Sequence, residues 1–257
     1  MVTLLLAIIY MAFISLGLPD GLLGAAWPVM QQDLAVPESY AGIVSMIIAA
    51  CSILSSLLSD KVTRRLGAGP VTAVSVLLTA AALLGFSLSR SFWMLCALAV
   101  PYGLGAGAVD AALNNYVALH YSSRHMSWLH AFWGVGAAIG PYVMSVAIGS
   151  RHGWPMGYGA IAAVQMVLTA VLFLSLPLWK KRDPAATAGE EGYEAPLSLR
   201  QALGIRGVKT MLLTFFAYCA LESTAGLWAA SYLVDHRGVD TQSAAAFAML
   251  FYLGITA

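Results

Sequence analysis

Charge is what this chain has least of. Only 10% of its 257 residues are Asp, Glu, Lys or Arg, against ~25% in soluble globular domains. With 60% of the residues hydrophobic, a water-soluble fold has too little polar surface to cover them. Cysteine is scarce as well. Cys51, Cys96 and Cys219 are odd in number and each lies within an apolar run, which leaves no disulfide framework and no metal-ligand spacing. No basic segment precedes the first apolar run. That run, from about Val2 through Asp20 to about Met30, is too long for a signal peptide and is expected to stay as the first span. Ser–His pairs, histidine clusters and paired acids are all missing, so neither an enzyme nor a cofactor is expected. The net charge of +1 says little about partners; no nucleic acid is expected, and the lipid bilayer is.

What is present is a series of apolar runs about 20 residues long, the length a helix needs to cross a bilayer. They fall at about 3–30, 40–58, 70–89, 92–119, 127–149, 156–178 and 208–233, and an eighth begins near 243. The fold class is therefore all-α and polytopic: a six-helix bundle of two three-helix repeats, followed by the start of a second bundle. Residues 1–179 form the first bundle, and 208–257 open the second. Between them, 180–207 contains KKRDPAATAGEEGYEAP, whose Ala, Gly, Pro and polar content marks a flexible linker.

Basic residues orient the spans. With the amino terminus in the cytoplasm, the inner loops hold Lys61, Arg64, Arg65, Arg124, Lys180, Lys181, Arg182, Arg200, Arg206 and Lys209. The outer loops hold only Arg90, Arg151 and Arg237. Ten against three is a consistent bias around every turn, and a plasma membrane (the inner membrane in a bacterium) is the expected location.

Three acids lie deep within apolar runs: Asp20, Asp110 and Glu222, in the first, fourth and seventh. An acid near the bilayer centre costs at least ~2.5–3.5 kcal/mol, so such residues face a cavity and mark an ion or substrate path. One at the head of each three-span unit points to a transporter built from repeats. Asp20 and Glu222 have matching surroundings. Gly24, Trp27 and Asp33 follow the first; Gly226, Trp228 and Asp235 follow the second, with both aspartates thirteen residues on. Spans one and seven thus look like equivalent positions in two halves.

Asp20 sits in GLPDGLLGAAWP, where Pro19 weakens the helix ladder beside the acid. Taking a carboxyl out of water disfavours its charged form, which suits it to carrying a proton. Asp110 has Asn114 four residues on along the same helical face, and Asn115 on the adjoining one. Amides donate and accept, so this group is suited to hydroxyls, and Asp110 is expected to couple protons or to bind the solute. By helix rise, Asp20 is roughly 25 Å and Asp110 roughly 27 Å from the starts of their spans, at overlapping depths. Glu222 is read as a further coupling acid. His130 and Trp133 lie three apart in the fifth span and offer a titratable donor beside an aromatic wall. Trp27 is expected to line the same site. Between spans two and three, SSLLSDKVTRRLG places Asp60 against Lys61, Arg64 and Arg65, a candidate cytoplasmic charge latch for gating.

With these pieces the chain resembles the major facilitator superfamily, whose loop signature of glycine, three residues, aspartate and bases is partly met by SDKVTRRLG. Ser56 stands where the first glycine is usual, while Asp60, Lys61 and Arg65 align. Within the superfamily it is most similar to the fucose permease group of proton-linked sugar symporters. Asp20 matches that group's first-span aspartate, and Asp110 with Asn114 its fourth-span acid and asparagine. Ser127, Leu129, His130, Phe132 and Gly136 partly match its fifth-span pattern. The resemblance implies symport of a sugar or similarly hydroxylated solute, driven by a proton gradient, by a monomer that normally has twelve spans. This chain ends inside the eighth, so a fragment, or a chain that pairs with another, is expected. Gly136, Gly140 and Pro141 also reproduce part of a signature of drug–proton antiporters, which implies export of lipophilic compounds as the alternative. A receptor that keeps the fold without transport is a third reading.

The charge bias makes a topological prediction. In a cysteine-free background, Ser39→Cys is labelled by a membrane-impermeant thiol reagent added outside intact cells, and Ser122→Cys only after permeabilisation. The reverse pattern contradicts the orientation.

Overall fold

The computed structural model describes residues 2–180 and 199–256. All regular structure among them is helical, and seven segments are long and apolar enough to cross a membrane. The first of these, Leu4–Asp33, is not one helix. It divides into α1 (Val2–Gly17) and α2 (Leu22–Asp33). The others are α3 (Tyr40–Leu66), α4 (Ala68–Leu88), α5 (Phe92–His120), α6 (Ser123–Ile148), α7 (Gly153–Lys180) and α9 (Val208–Arg237), with a shorter apolar helix, α10 (Thr241–Thr256). The linker expected over 180–207 has its residues 181–198 outside the described residues, Lys181 and Arg182 among them; its end carries the six-residue helix α8 (Leu199–Gly204).

Two boundaries differ from those read from hydropathy. Only Gly67 separates α3 from α4, so the charged stretch expected as a loop is the last turns of a helix. There Asp60 and Arg64 share a face and form an ion pair at 2.6 Å, both more than half exposed. The partner of Asp60 is thus one helical turn away instead of the adjacent Lys61, as i,i+4 geometry dictates. The second difference is the break in the first span. Proline has no N–H, so Pro19 cannot bond the carbonyl four residues back, on Ser15. Over the next residues the ladder tightens: Asp20 N–H donates to Gly17 O and Leu22 N–H to Pro19 O, each at 3.1 Å and three residues apart. The orphaned Ser15 carbonyl accepts instead from the Gln165 amide of α7 at 2.8 Å. Gln165 is itself fixed by the Thr79 hydroxyl of α4, which donates to its Oε1 at 3.0 Å. Both polar side chains are buried. In a bilayer such a break persists only if protein groups take up the freed backbone.

Packing follows the same division. α4 lies against α5 and α7, α3 against α5, α6 against α1 and α10, and α2 against α9. One apolar cluster, with Leu5, Ile9, Phe13, Leu113, Leu129 and Trp179, fills the end of the bundle where α1 begins. Another, with Leu22, Trp27, Met30, Leu95, Met144 and Trp154, fills the opposite end. The first end is the basic one: Lys61, Arg64, Arg65, Arg124, Arg206 and Lys209 all sit at helix termini there. Outward faces carry exposed Met46, Ile53, Leu54 and Leu57 on α3 and Leu212, Leu213 and Phe216 on α9, the side chains that meet lipid or further protein rather than water. At the far end the Asp240 carboxylate caps α10 by accepting the Ser243 N–H at 2.9 Å, and its hydrogen bonds to Ser243 hold it below the usual aspartate range.

Replacing Gln165 by Leu leaves the Ser15 carbonyl and Thr79 without this partner. The expected cost is about 1–3 kcal/mol, read as a lowered midpoint of thermal unfolding in detergent; an unchanged midpoint contradicts the role given to Gln165.

Candidate functional site

Between the two apolar clusters lies a cavity of about 820 Å³, within the size range of small-molecule sites. The break in the first span forms one wall through Phe13, Leu16, Pro19, Asp20, Leu23 and Gly24. α3 contributes Ser45, Ile48, Ala49 and Ser52; α5 contributes Tyr102, Ala106 and Asp110; α6 contributes Ser127, His130, Trp133 and Gly134. The opposite wall is α9, with Phe215, Tyr218, Cys219, Glu222, Ser223 and Gly226, joined by Tyr252 and Thr256 of α10. Five of the residues singled out from sequence meet here: Asp20, Asp110, Glu222, His130 and Trp133.

Asp20 is open to the cavity, and its Oδ2 accepts the indole N–H of Trp133 at 2.7 Å. An indole only donates, and a protonated carboxyl keeps an oxygen that can accept, so this tether survives a change in the acid's protonation. The Asp20 carboxylate lies within electrostatic range of both Glu222 and Asp110. Asp110 accepts from the Asn114 amide at Oδ1 (2.9 Å), and the same amide reaches the Asp110 backbone carbonyl at 3.0 Å. Asn114 therefore braces the acid from one turn away and is not itself a lining residue. His130 lies within range of the Asp110 charge, with its ring edge-on to Phe13 at 6.0 Å between centroids.

Besides Asn114, two more expected lining residues lie outside the cavity. Trp27 is fully buried in the far-end cluster, and its indole N–H donates to the Glu38 carbonyl at 2.8 Å, fastening α2 to the following turn. Asn115 is exposed and outside the cavity, because one residue along a helix turns the side chain by about 100°. Asp60, Lys61, Arg64 and Arg65 lie at the basic end, away from the cavity. Sequence reading missed Tyr102, Tyr158 and Tyr252, which line the cavity while more than nine-tenths buried. It also missed Gln165, whose signal was a lone amide in an apolar run.

The cavity is closed toward the far end. α2 and α9 touch at Gly24 and Gly226, the two glycines in matching positions of the sequence repeat; a β-carbon on Gly24 would overlap the Gly226 carbonyl oxygen. Beside them the Ser145 hydroxyl of α6 donates to the Gln242 carbonyl of α10 at 2.8 Å. Gly136 and Gly140 of α6 let that helix meet the Ile14 and Leu18 carbonyls just before the break. Lining residues of α6, α9 and α10 continue toward the basic end, where the first turns of α9 are exposed.

Comparison with known proteins agrees with this architecture. The family model described as Major Facilitator Superfamily matches residues 5–257. The hexuronate transporter of Bacillus subtilis (strain 168) is 26% identical over 239 residues, 86% of this chain and 54% of that protein. Synaptic vesicle glycoprotein 2C of Rattus norvegicus is 27% identical over 174 residues, 65% of this chain and 23% of that protein. A crystal structure of peptide transporter POT in complex with sulfate superposes with a TM-score of 0.56 at 16% identity, over 96% of this chain and 49% of that one, a likeness of fold alone. The chain thus spans about half of the transporters it matches, and less of the synaptic protein.

The glycine contact yields a prediction. Gly24→Val forces α2 from α9, so a cysteine placed at Ser223 reacts at least tenfold faster with an impermeant thiol reagent supplied from the far end. An unchanged rate contradicts a seal at this contact.

Proposed function

The chain belongs to the Major Facilitator Superfamily, and on that premise we propose that it carries a small hydroxylated solute, a sugar or a close relative, across the membrane in symport with a proton. Membership makes it a membrane transporter and not an enzyme; the coupling and the solute are the proposal. One observation carries it: Asp20, on the broken first span, faces a central cavity, is hydrogen-bonded to Trp133, and is within range of two further acids.

In this reading Asp20 takes up the coupling proton, with Glu222 across the cavity as a second proton acceptor. Asp110, braced by Asn114, accepts solute hydroxyls beside His130, and Trp133 offers its ring to the apolar face of the solute. A proton moves nothing by itself. It acts if neutral Asp20 favours the state that can reorient, because a ligand shifts a conformational equilibrium only by its differential affinity. The far-end seal then corresponds to an inward-facing state, with the amino terminus cytoplasmic, in a plasma membrane. The 1–179 bundle and the second bundle that 208–257 opens act as the moving halves of one monomer, and the Asp60–Arg64 pair, with Lys61 and Arg65, as the cytoplasmic latch. An exposed pair of this kind contributes about 0.3–0.5 kcal/mol, enough to bias two states of similar energy. The resemblance to the fucose permease group supports a sugar-like solute.

The aromatic lining gives a second reading its footing. Phe13, Phe86, Phe215 and Tyr218 around acidic side chains also suit a lipophilic cation, exported in exchange for protons.

The test is uptake into proteoliposomes under an inward proton gradient, with a panel of labelled sugars. Asp20→Asn is expected to lower gradient-driven uptake at least tenfold while leaving solute exchange in place. Export of a lipophilic dye with no sugar uptake contradicts symport and favours the exchanger.

A further inference from the structure

We infer that the cavity selects its solute by charge: the transported molecule bears an amine or another positively charged group, which seats between Asp20 and Glu222, and carboxylated analogues are refused. This rests on the reading of the cavity as a transport site.

Among the described residues no Lys or Arg lines the cavity, whereas acids from three separate helices do. The basic side chains stand at helix ends, where Asp60 has already claimed Arg64. Of the three acids, Asp110 has neighbours that answer it, the Asn114 amide and the His130 ring. Asp20 and Glu222 lie within electrostatic range of each other across the cavity, and each has only a neutral donor: the Trp133 indole for Asp20 and the Tyr218 hydroxyl for Glu222. A cleft lined by one sign of charge concentrates solutes of the other.

The aromatic lining points the same way: Trp133, Tyr218 and Tyr252 line the cavity beside the two acids, and aromatic rings attract organic cations. Tyr252, on the same wall, lies within range of both Asp20 and Glu222. The acids are not grouped as a metal site: among the described residues no three His, Cys, Asp or Glu stand close enough to share an ion. Size and aromatic character thus fit an organic cation.

The experiment is quenching of tryptophan fluorescence in the purified protein by two matched sets: D-glucosamine, D-glucose and D-glucuronate, and tetraphenylphosphonium with tetraphenylborate. The cation of at least one set is expected to bind tenfold or more tightly than its neutral or anionic counterpart. Glu222→Gln is expected to reduce that preference at least fivefold, with an unchanged unfolding midpoint, and Glu222→Asp to retain it. Equal or tighter binding of the neutral or anionic member overturns the inference, as does absence of binding by both cations. Proton-driven uptake of D-glucose that still collapses in Asp20→Asn would sink charge selection and leave symport standing. Loss of all proton-driven movement, with cation preference intact, would instead remove the transport reading.

Discussion

One missing hydrogen bond organises this structure. Pro19 has no N–H to give the Ser15 carbonyl, and in a bilayer that carbonyl cannot turn to water. Gln165 of α7 takes it, held in turn by Thr79 of α4. The break is thereby fixed in place across three helices, and the residues around it change role. Leu18 joins the far-end cluster, Pro19 becomes cavity wall, and Asp20 projects from the turn into the open space. An unbroken helix would have kept the acid in a regular ladder with one side toward its neighbours. Gly136 and Gly140 serve the same point, bringing α6 close enough for Trp133 to reach the carboxylate.

From that junction, charge and conformation are tied together. Asp20 is bonded to α6, and α6 is bonded to α10 through Ser145 and Gln242. Four residues beyond Asp20, Gly24 meets Gly226 of α9, itself four residues beyond Glu222. Asp20 therefore sits one helical turn from a contact between the first bundle and the helices after the linker. Rigid helices joined at such a contact suit two discrete arrangements better than a graded one.

The spans were legible in the sequence because hydropathy is a property of length and composition, and both survive folding unchanged. The cavity acids were legible for the opposite reason: a carboxylate in an apolar run is costly enough to need a purpose. What hydropathy could not show was where helices stop. The first apolar run concealed a break whose only mark was Pro19, and the charged residues after Leu58 looked like a loop although they continue α3 to Leu66. Direction around a helix was the other weakness. Asn114 and Asn115 are adjacent in sequence, yet one braces Asp110 and the other faces outward. Trp27 shares its motif with Asp20, but the break turns it into the packed core, where Glu38 takes its N–H. The tyrosines were missed because a ring with one hydroxyl is ambiguous in a membrane sequence until its neighbours are known. Gln165 could have been found by the rule that found the acids, applied to amides.

The central claim is that Asp20 exchanges a proton within this cavity. Infrared difference spectroscopy of the purified protein, titrated in pH, follows the carbonyl stretch of protonated carboxyl groups directly and needs no knowledge of the solute. One such band should appear as pH falls, shift when Trp133→Phe removes its hydrogen bond, and vanish in Asp20→Asn. Difference spectra identical in the parent and Asp20→Asn would show that this carboxyl does not change protonation, and would contradict proton coupling at the break.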